Sequence, residues 1–171
     1  MNMNDRGLTL VEILAAVVIL SILFIGIMSI FPQMTLFNAK TETKLDTMNL
    51  ARQEMAYISG EAGWVGKRDL ADPSIYENFK TVLVTRMPAA GYTEITTTDD
   101  FIRYEKTDGY RYEADVYLNC QPFLKEAENS LKCNDPSLSQ LHKVHLKVYD
   151  DGRISSQTFS YIKFIVEMKV D

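Results

Sequence analysis

Glu12 is the residue whose position asks most insistently for a chemical explanation. It is the only charge between Leu8 and Phe31, and Ile13 to Phe31 is uncharged. A carboxylate at the edge of so apolar a helix either neutralises a cation or sits at the headgroup level, where the helix dipole favours it. Two cysteines, Cys120 and Cys133, can form a disulfide or remain two buried thiols. The two histidines, His142 and His145, are three apart, which puts them on opposite faces of a strand and argues against a shared metal. Asp99-Asp100 and Asp150-Asp151 could offer oxygen ligands to calcium, although acidic turn residues are commoner than such sites. Lys143, His145 and Lys147 form a row with two readings: a basic strip for DNA or another anionic partner, or cross-strand pairing with Glu113 and Asp115. The second is preferred. There is no Gly-rich phosphate loop, Gly-x-Ser-x-Gly elbow or metalloprotease helix, so no catalytic or metal-binding residue is assigned.

The elements that must position these groups divide the 171 residues in two. Ile13 to Phe31 gives 19 uncharged, mostly apolar residues, about 28 Å of helix and close to one hydrocarbon core. An ordinary secretory signal has a shorter apolar core and a small-x-small site after it. Here Ser29-Ile30-Phe31-Pro32-Gln33-Met34 follows, so this segment reads as an uncleaved anchor. Arg6 precedes the span and Lys40 is the first basic residue after it, which favours a cytoplasmic N-terminus and an extracytoplasmic remainder. That location favours a Cys120–Cys133 disulfide. Setting aside Asp5, Arg6 and Glu12 leaves 17 basic and 21 acidic residues, an acidic domain with no obvious nucleic-acid footprint.

Pro32 should interrupt or kink the helix. Beyond it, Met34, Phe37, Thr41, Leu45, Met48, Arg52, Met55 and Ile58 recur at spacings of three and four, an amphipathic stripe expected to lie on a sheet. Gly60, Gly63, Gly66 and Pro73 make residues 60–75 read as a loop, with Trp64 packed over the helix end. Alternation marks strands at Tyr110–Leu118, at Val144, Leu146 and Val148, and at Ile162, Phe164, Val166, Met168 and Val170. Asp108-Gly109 and Asp151-Gly152 are the expected hairpin turns.

Gly7-Leu8-Thr9-Leu10-Val11-Glu12, running straight into the apolar segment, resembles the processing motif of type IV prepilins. The resemblance implies that a prepilin peptidase cuts between Gly7 and Leu8, that Leu8 is then N-methylated, and that Glu12 meets the Leu8 amine of a neighbouring subunit in a filament. Leu8 departs from the family's usual Phe, an apolar exchange. Asn49-Leu50-Ala51-Arg52-Gln53-Glu54-Met55 is similar to minor pilins and pseudopilins of the I/V type. The plan expected is α+β: a leader at 1–7, a membrane or filament-core helix at 8–32, its amphipathic continuation at 33–59, and a globular extracellular domain at 60–171 built on a small antiparallel sheet. The implied role is a non-enzymatic filament subunit without cofactor. Its implied partners are other pilins or pseudopilins, the prepilin peptidase and membrane lipid, with DNA or a secreted substrate met through the assembled machine. Type II secretion, DNA uptake and surface pili all remain open. The rivals are a signal-anchored extracytoplasmic enzyme or binding domain and a membrane-anchored sensor.

Overall fold

A computed structural model describes residues 9–60, 64–72, 74–122 and 137–168, the side chains of 121 and 122 excepted. The chain forms two compact units, Met1–Thr43 and Lys44–Asp171. The first helix, α1 (Leu10–Ser59), contributes to both.

In the first unit the helix follows from composition: long apolar side chains with one glycine, Gly26, in the span. Its hydroxyls turn inward onto their own backbone. Ser21 Oγ donates to the Val17 carbonyl at 2.7 Å, and Ser29 Oγ to that of Gly26 at 2.8 Å. Such bonds are what a hydroxyl needs in a solvent without partners. The helix is not interrupted at Pro32, against one of the two expectations for that residue. Thr35 Oγ1 donates there to the carbonyls of Phe31 and Pro32, at 3.1 and 3.0 Å. An 18-residue window of α1 has a mean hydropathy of 3.0, with none of it buried in the protein. By length and composition it could cross a bilayer.

The second unit is α+β, as the sequence suggests. Among the described residues it has six strands, β1 (Val65–Arg68), β2 (Thr93–Thr97), β3 (Phe101–Asp108), β4 (Tyr110–Pro122), β5 (Gln140–Asp150) and β6 (Arg153–Met168), with a second helix, α2 (Phe79–Ala89). They form one sheet in the order β1-β6-β5-β4-β3-β2. All neighbours are antiparallel except β1, which runs parallel to β6 with Val65 opposite Ile165. The two glycine hairpins form as expected: Asp108 pairs with Tyr110 around Gly109 at φ 67°, and Asp150 with Arg153 around Asp151 and Gly152 at φ 47° and 77°.

One face of the sheet carries the core. Ile102 and Tyr104 of β3, Ala114 and Val116 of β4, Val144, Leu146 and Val148 of β5, and Ile162 and Phe164 of β6 are buried. Met168 breaks the expected phase, being 54% exposed, and Val170 lies outside the described residues. Over this face α1 lays Thr47, Ala51, Met55 and Ile58. The expected stripe is therefore rotated. Within the second unit Met55 and Ile58 belong to it and Met48 is half-buried, while Leu45 and Arg52 are exposed; Met34, Phe37 and Thr41 fall in the first unit. The reason is close approach: small residues at 47 and 51 bring the helix near enough for polar contact. Ser156 Oγ donates to the Thr47 carbonyl at 2.8 Å, and Thr47 Oγ1 lies 2.9 Å from Ser155 Oγ. Trp64 does cap the helix end, its Nε1 donating to the Ile58 carbonyl at 2.6 Å.

Residues 60–75 are not simply a loop, because β1 lies within them. Gly66 permits it: a Cβ there would overlap the Glu77 carbonyl oxygen and come within 2.8 Å of the Phe164 ring. Gly66→Ala should lower stability by about 1–3 kcal/mol, the usual range for overpacking. Denaturant titration of the folded chain measures it, and an unchanged midpoint would refute the close approach.

Candidate functional site

The start of α1 is built by Thr9 and Glu12. The Thr9 backbone N–H and hydroxyl both donate to Glu12 Oε2, at 2.8 and 2.9 Å, and the Glu12 N–H donates back to Thr9 Oγ1 at 3.3 Å. This reciprocal arrangement is a capping box, which satisfies donors the first helical turn leaves open. The Thr-x-x-Glu spacing was available to sequence reading and Thr9 was missed. Both hydrogen bonds accepted by the Glu12 side chain fall on one oxygen; among the described residues no donor meets Oε1. Gly7 and Leu8, the expected cleavage pair, lie outside the described residues. C-terminal to this cap, Leu10, Val11, Ile13 and Leu14 are 80, 74, 54 and 61% exposed. Such a surface requires lipid or protein around it.

On the other face of the sheet, the acids of β4 take the cross-strand pairing. Glu113 lies opposite Lys147 and Asp115 opposite His145. Lys147 Nζ donates to Glu113 Oε1 at 2.6 Å and to Asp115 Oδ2 at 3.0 Å. Arg103, from β3, grips Asp115 through two donors at 2.6 and 3.0 Å. Glu113 and Asp115 are consequently buried, where alternation alone expects solvated positions. Burial alone would raise the Asp115 carboxyl. The bonds from Arg103 and Lys147 outweigh that and hold it below the ordinary aspartate value. For Lys147 burial works to lower the ammonium, and its bonds to the same carboxylates raise it on balance.

The histidines separate as expected. His142 is buried on the core side, stacked on Phe79 of α2 with centroids 3.5 Å apart. Its Nδ1 lies 3.1 Å from the Tyr117 carbonyl oxygen, and burial pushes the imidazole down to about 4, so it is neutral at physiological pH. His145 stands on the opposite face, stacked on Phe159. Among the described residues no three His, Cys, Asp or Glu side chains converge as a metal site. Asp100 is occupied locally, its carbonyl accepting from the Leu118 N–H at 2.8 Å and Oδ1 from Asn119 at 3.2 Å.

Cys120 sits half-buried on β4 opposite His142, beside a cavity of about 510 Å³ lined in part by Phe79, Gln140 and Phe164. No free cysteine occurs among the described residues, and Cys133 lies outside them. We expect non-reducing peptide mapping of exported protein to recover a linked Cys120–Cys133 peptide. Two freely alkylated thiols would refute the pairing.

No curated protein and no solved structure matches the chain. Residues 2–28, however, match the family model of the prokaryotic N-terminal methylation motif. That stretch spans the expected cleavage pair, Glu12 and most of the apolar run. The chain thus carries at its N-terminus the methylation motif that marks type IV pilin-like proteins.

Proposed function

We propose that this protein is a minor pilin or pseudopilin, a structural subunit of a type IV pilus-like filament without catalytic activity or cofactor. The observation that carries the reading is the methylation motif at residues 2–28 running into a helix whose apolar side chains are exposed. Before assembly that helix lies in the cytoplasmic or inner membrane, with the N-terminus in the cytoplasm and the globular unit outside. After assembly it packs against its counterparts in the filament core. Prepilin peptidase removes residues 1–7 and Leu8 becomes the methylated N-terminus. Other pilins are the direct partners. The filament serves type II secretion, DNA uptake or a surface pilus, and an assembly ATPase and platform protein in the gene neighbourhood would identify which.

Mass spectrometry of protein from cells that possess the peptidase tests the proposal. The expected N-terminal peptide begins at N-methylated Leu8, and Gly7→Glu should abolish it, since a bulky charge replaces the smallest residue beside the cut. An intact Met1 terminus in wild-type protein would overturn the reading.

A further inference from the structure

His142 joins two elements of the globular unit. Its side chain, on β5, is buried and stacks on Phe79, the first residue of α2, with centroids 3.5 Å apart and planes 8° apart. The ring of Phe164, from β6, meets it edge-on at 6.4 Å. Nδ1 lies 3.1 Å from the Tyr117 carbonyl oxygen and Nε2 3.3 Å from Gln140 Oε1. These partners are dipoles and supply no full charge. The imidazole also borders the cavity of about 510 Å³, and among the described residues no carboxylate lines it. The ionisable groups there are Lys80 of α2, which has the same sign as an imidazolium, and Tyr76. Cys120, opposite on β4, is not a free thiol. A protonated ring would have no countercharge here, and an unpaired buried charge is costly.

The start of α2 depends on this contact. Val82, Leu83 and Met87 are buried and hold the later turns. Around Phe79, by contrast, Glu77, Asn78, Lys80 and Thr81 are all exposed. The Glu77 N–H ties the approach to β1, donating to the Lys67 carbonyl at 3.0 Å. Phe79 also leans on Trp64, the one tryptophan of the chain, with centroids 5.8 Å apart.

We infer that the contact of His142 with Phe79 is an acid-sensitive latch: in mildly acidic surroundings the imidazole takes up a proton and turns out of its place, and the first turn of α2 loosens from the sheet while the rest of the unit stays folded. Local opening of this kind costs less than global unfolding. An opened ring in water titrates at the ordinary imidazole value, about 6.5. The closed ring titrates at about 4, lowered chiefly by burial. The closed contact is therefore at full strength above the first value and weakens as pH falls toward the second. The latch belongs to the globular unit and does not depend on filament assembly.

The test follows Trp64 emission of the full chain in detergent micelles as pH is lowered, with far-UV circular dichroism recorded alongside. A red shift with its midpoint between those two values is expected, at unchanged helix and sheet content. His142→Phe keeps a ring on Phe79 without the ionisable group and should show no shift. Gln140→Glu puts a carboxylate beside Nε2 and should hold the contact closed over the same range. Should a variant fail to fold, the wild-type chain still decides by NMR. The His142 ring resonances, told from those of His145 by His145→Gln, should titrate together with Trp64. The inference is overturned by an absent Trp64 shift, by a shift that comes only with loss of the circular dichroism signal, by one that persists in either variant, or by a His142 titration that does not track it.

Discussion

Glu12→Gln protein should insert in the membrane and be cut after Gly7, yet fail to join its filament. Two roles compete for this carboxylate, and the capping box separates them. Glutamine can also serve at the third position of a capping box, so a purely local role predicts a near-silent change. The loss of charge at the helix start is worth only about 0.3–1 kcal/mol. If instead Oε1 receives the Leu8 amine of a neighbour in a dry bundle, glutamine leaves that amine unpaired, at about 3–5 kcal/mol. Thr9→Ala supplies the complement. It removes the cap at roughly 1 kcal/mol and keeps the charge, so it should leave assembly nearly intact. Crosslinking or pulldown against the other pilins of the same cell measures both. Normal incorporation of cleaved Glu12→Gln protein would reject the intersubunit pair, and failure of Thr9→Ala alone would assign the effect to the cap.

Replacing Lys147 with Met should cost the globular unit about 3–5 kcal/mol at neutral pH. The Lys147 side chain is 14% exposed and those of Glu113 and Asp115, which it joins, 10% and 5%. Methionine keeps the stem's packing but leaves Asp115 to Arg103, and Glu113 to Arg103 and the Tyr149 hydroxyl. The pH profile distinguishes this from a packing defect. The Asp115 carboxyl is depressed in the folded chain, so its contribution is present above the ordinary aspartate value of about 3.9 and is lost as pH falls through the folded value. The Lys147 ammonium is raised, so its contribution is present below about 10.4 and lost as pH rises through the folded value. The wild-type and Lys147→Met stability curves should therefore converge in acid, where protonated carboxyls no longer need the cation. His142, neutral when folded and titrating at about 4, weakens both chains as pH falls from its unfolded value and cancels from the difference. Urea titrations between pH 3 and 8, as a rough range, would show it. A constant offset would mean that Lys147 matters only through packing.

These two sites differ in how far the sequence disclosed them. Glu12 stands out because one charge interrupts a long apolar run, a purely local signal. The partnership of Lys147 with Glu113 and Asp115 could be named from the sequence only on condition that the strands were neighbours. Arg103 could not be named at all, since its role depends on the β3–β4 register. Alternation made β4, β5 and β6 legible because each carries buried apolar residues at alternate positions, Ala114 and Val116, Val144 to Val148, and Ile162 and Phe164. It could not reveal β2, whose five residues are all exposed and carry no burial pattern. β1 is four residues long and is held by a glycine whose missing side chain is what matters, a feature that in sequence looks like a loop signal. The rotated stripe on α1 has a similar cause. Periodicity favours large apolar residues, whereas the contact is made through Thr47 and Ala51, whose smallness lets the helix come close.

The parallel pairing of β1 with β6 sets an order of events in time. Val65 finds Ile165 only after almost the whole chain has been made, because synthesis runs from the N-terminus. Every antiparallel pair joins consecutive strands, all but β4–β5 through a short turn, and such hairpins form early. The edge of β6 that receives β1 therefore stays open until last. Through that interval the nascent subunit exposes an unpaired strand to its neighbours. Closing the edge with residues from its own beginning ends the period in which two copies could join there by mistake.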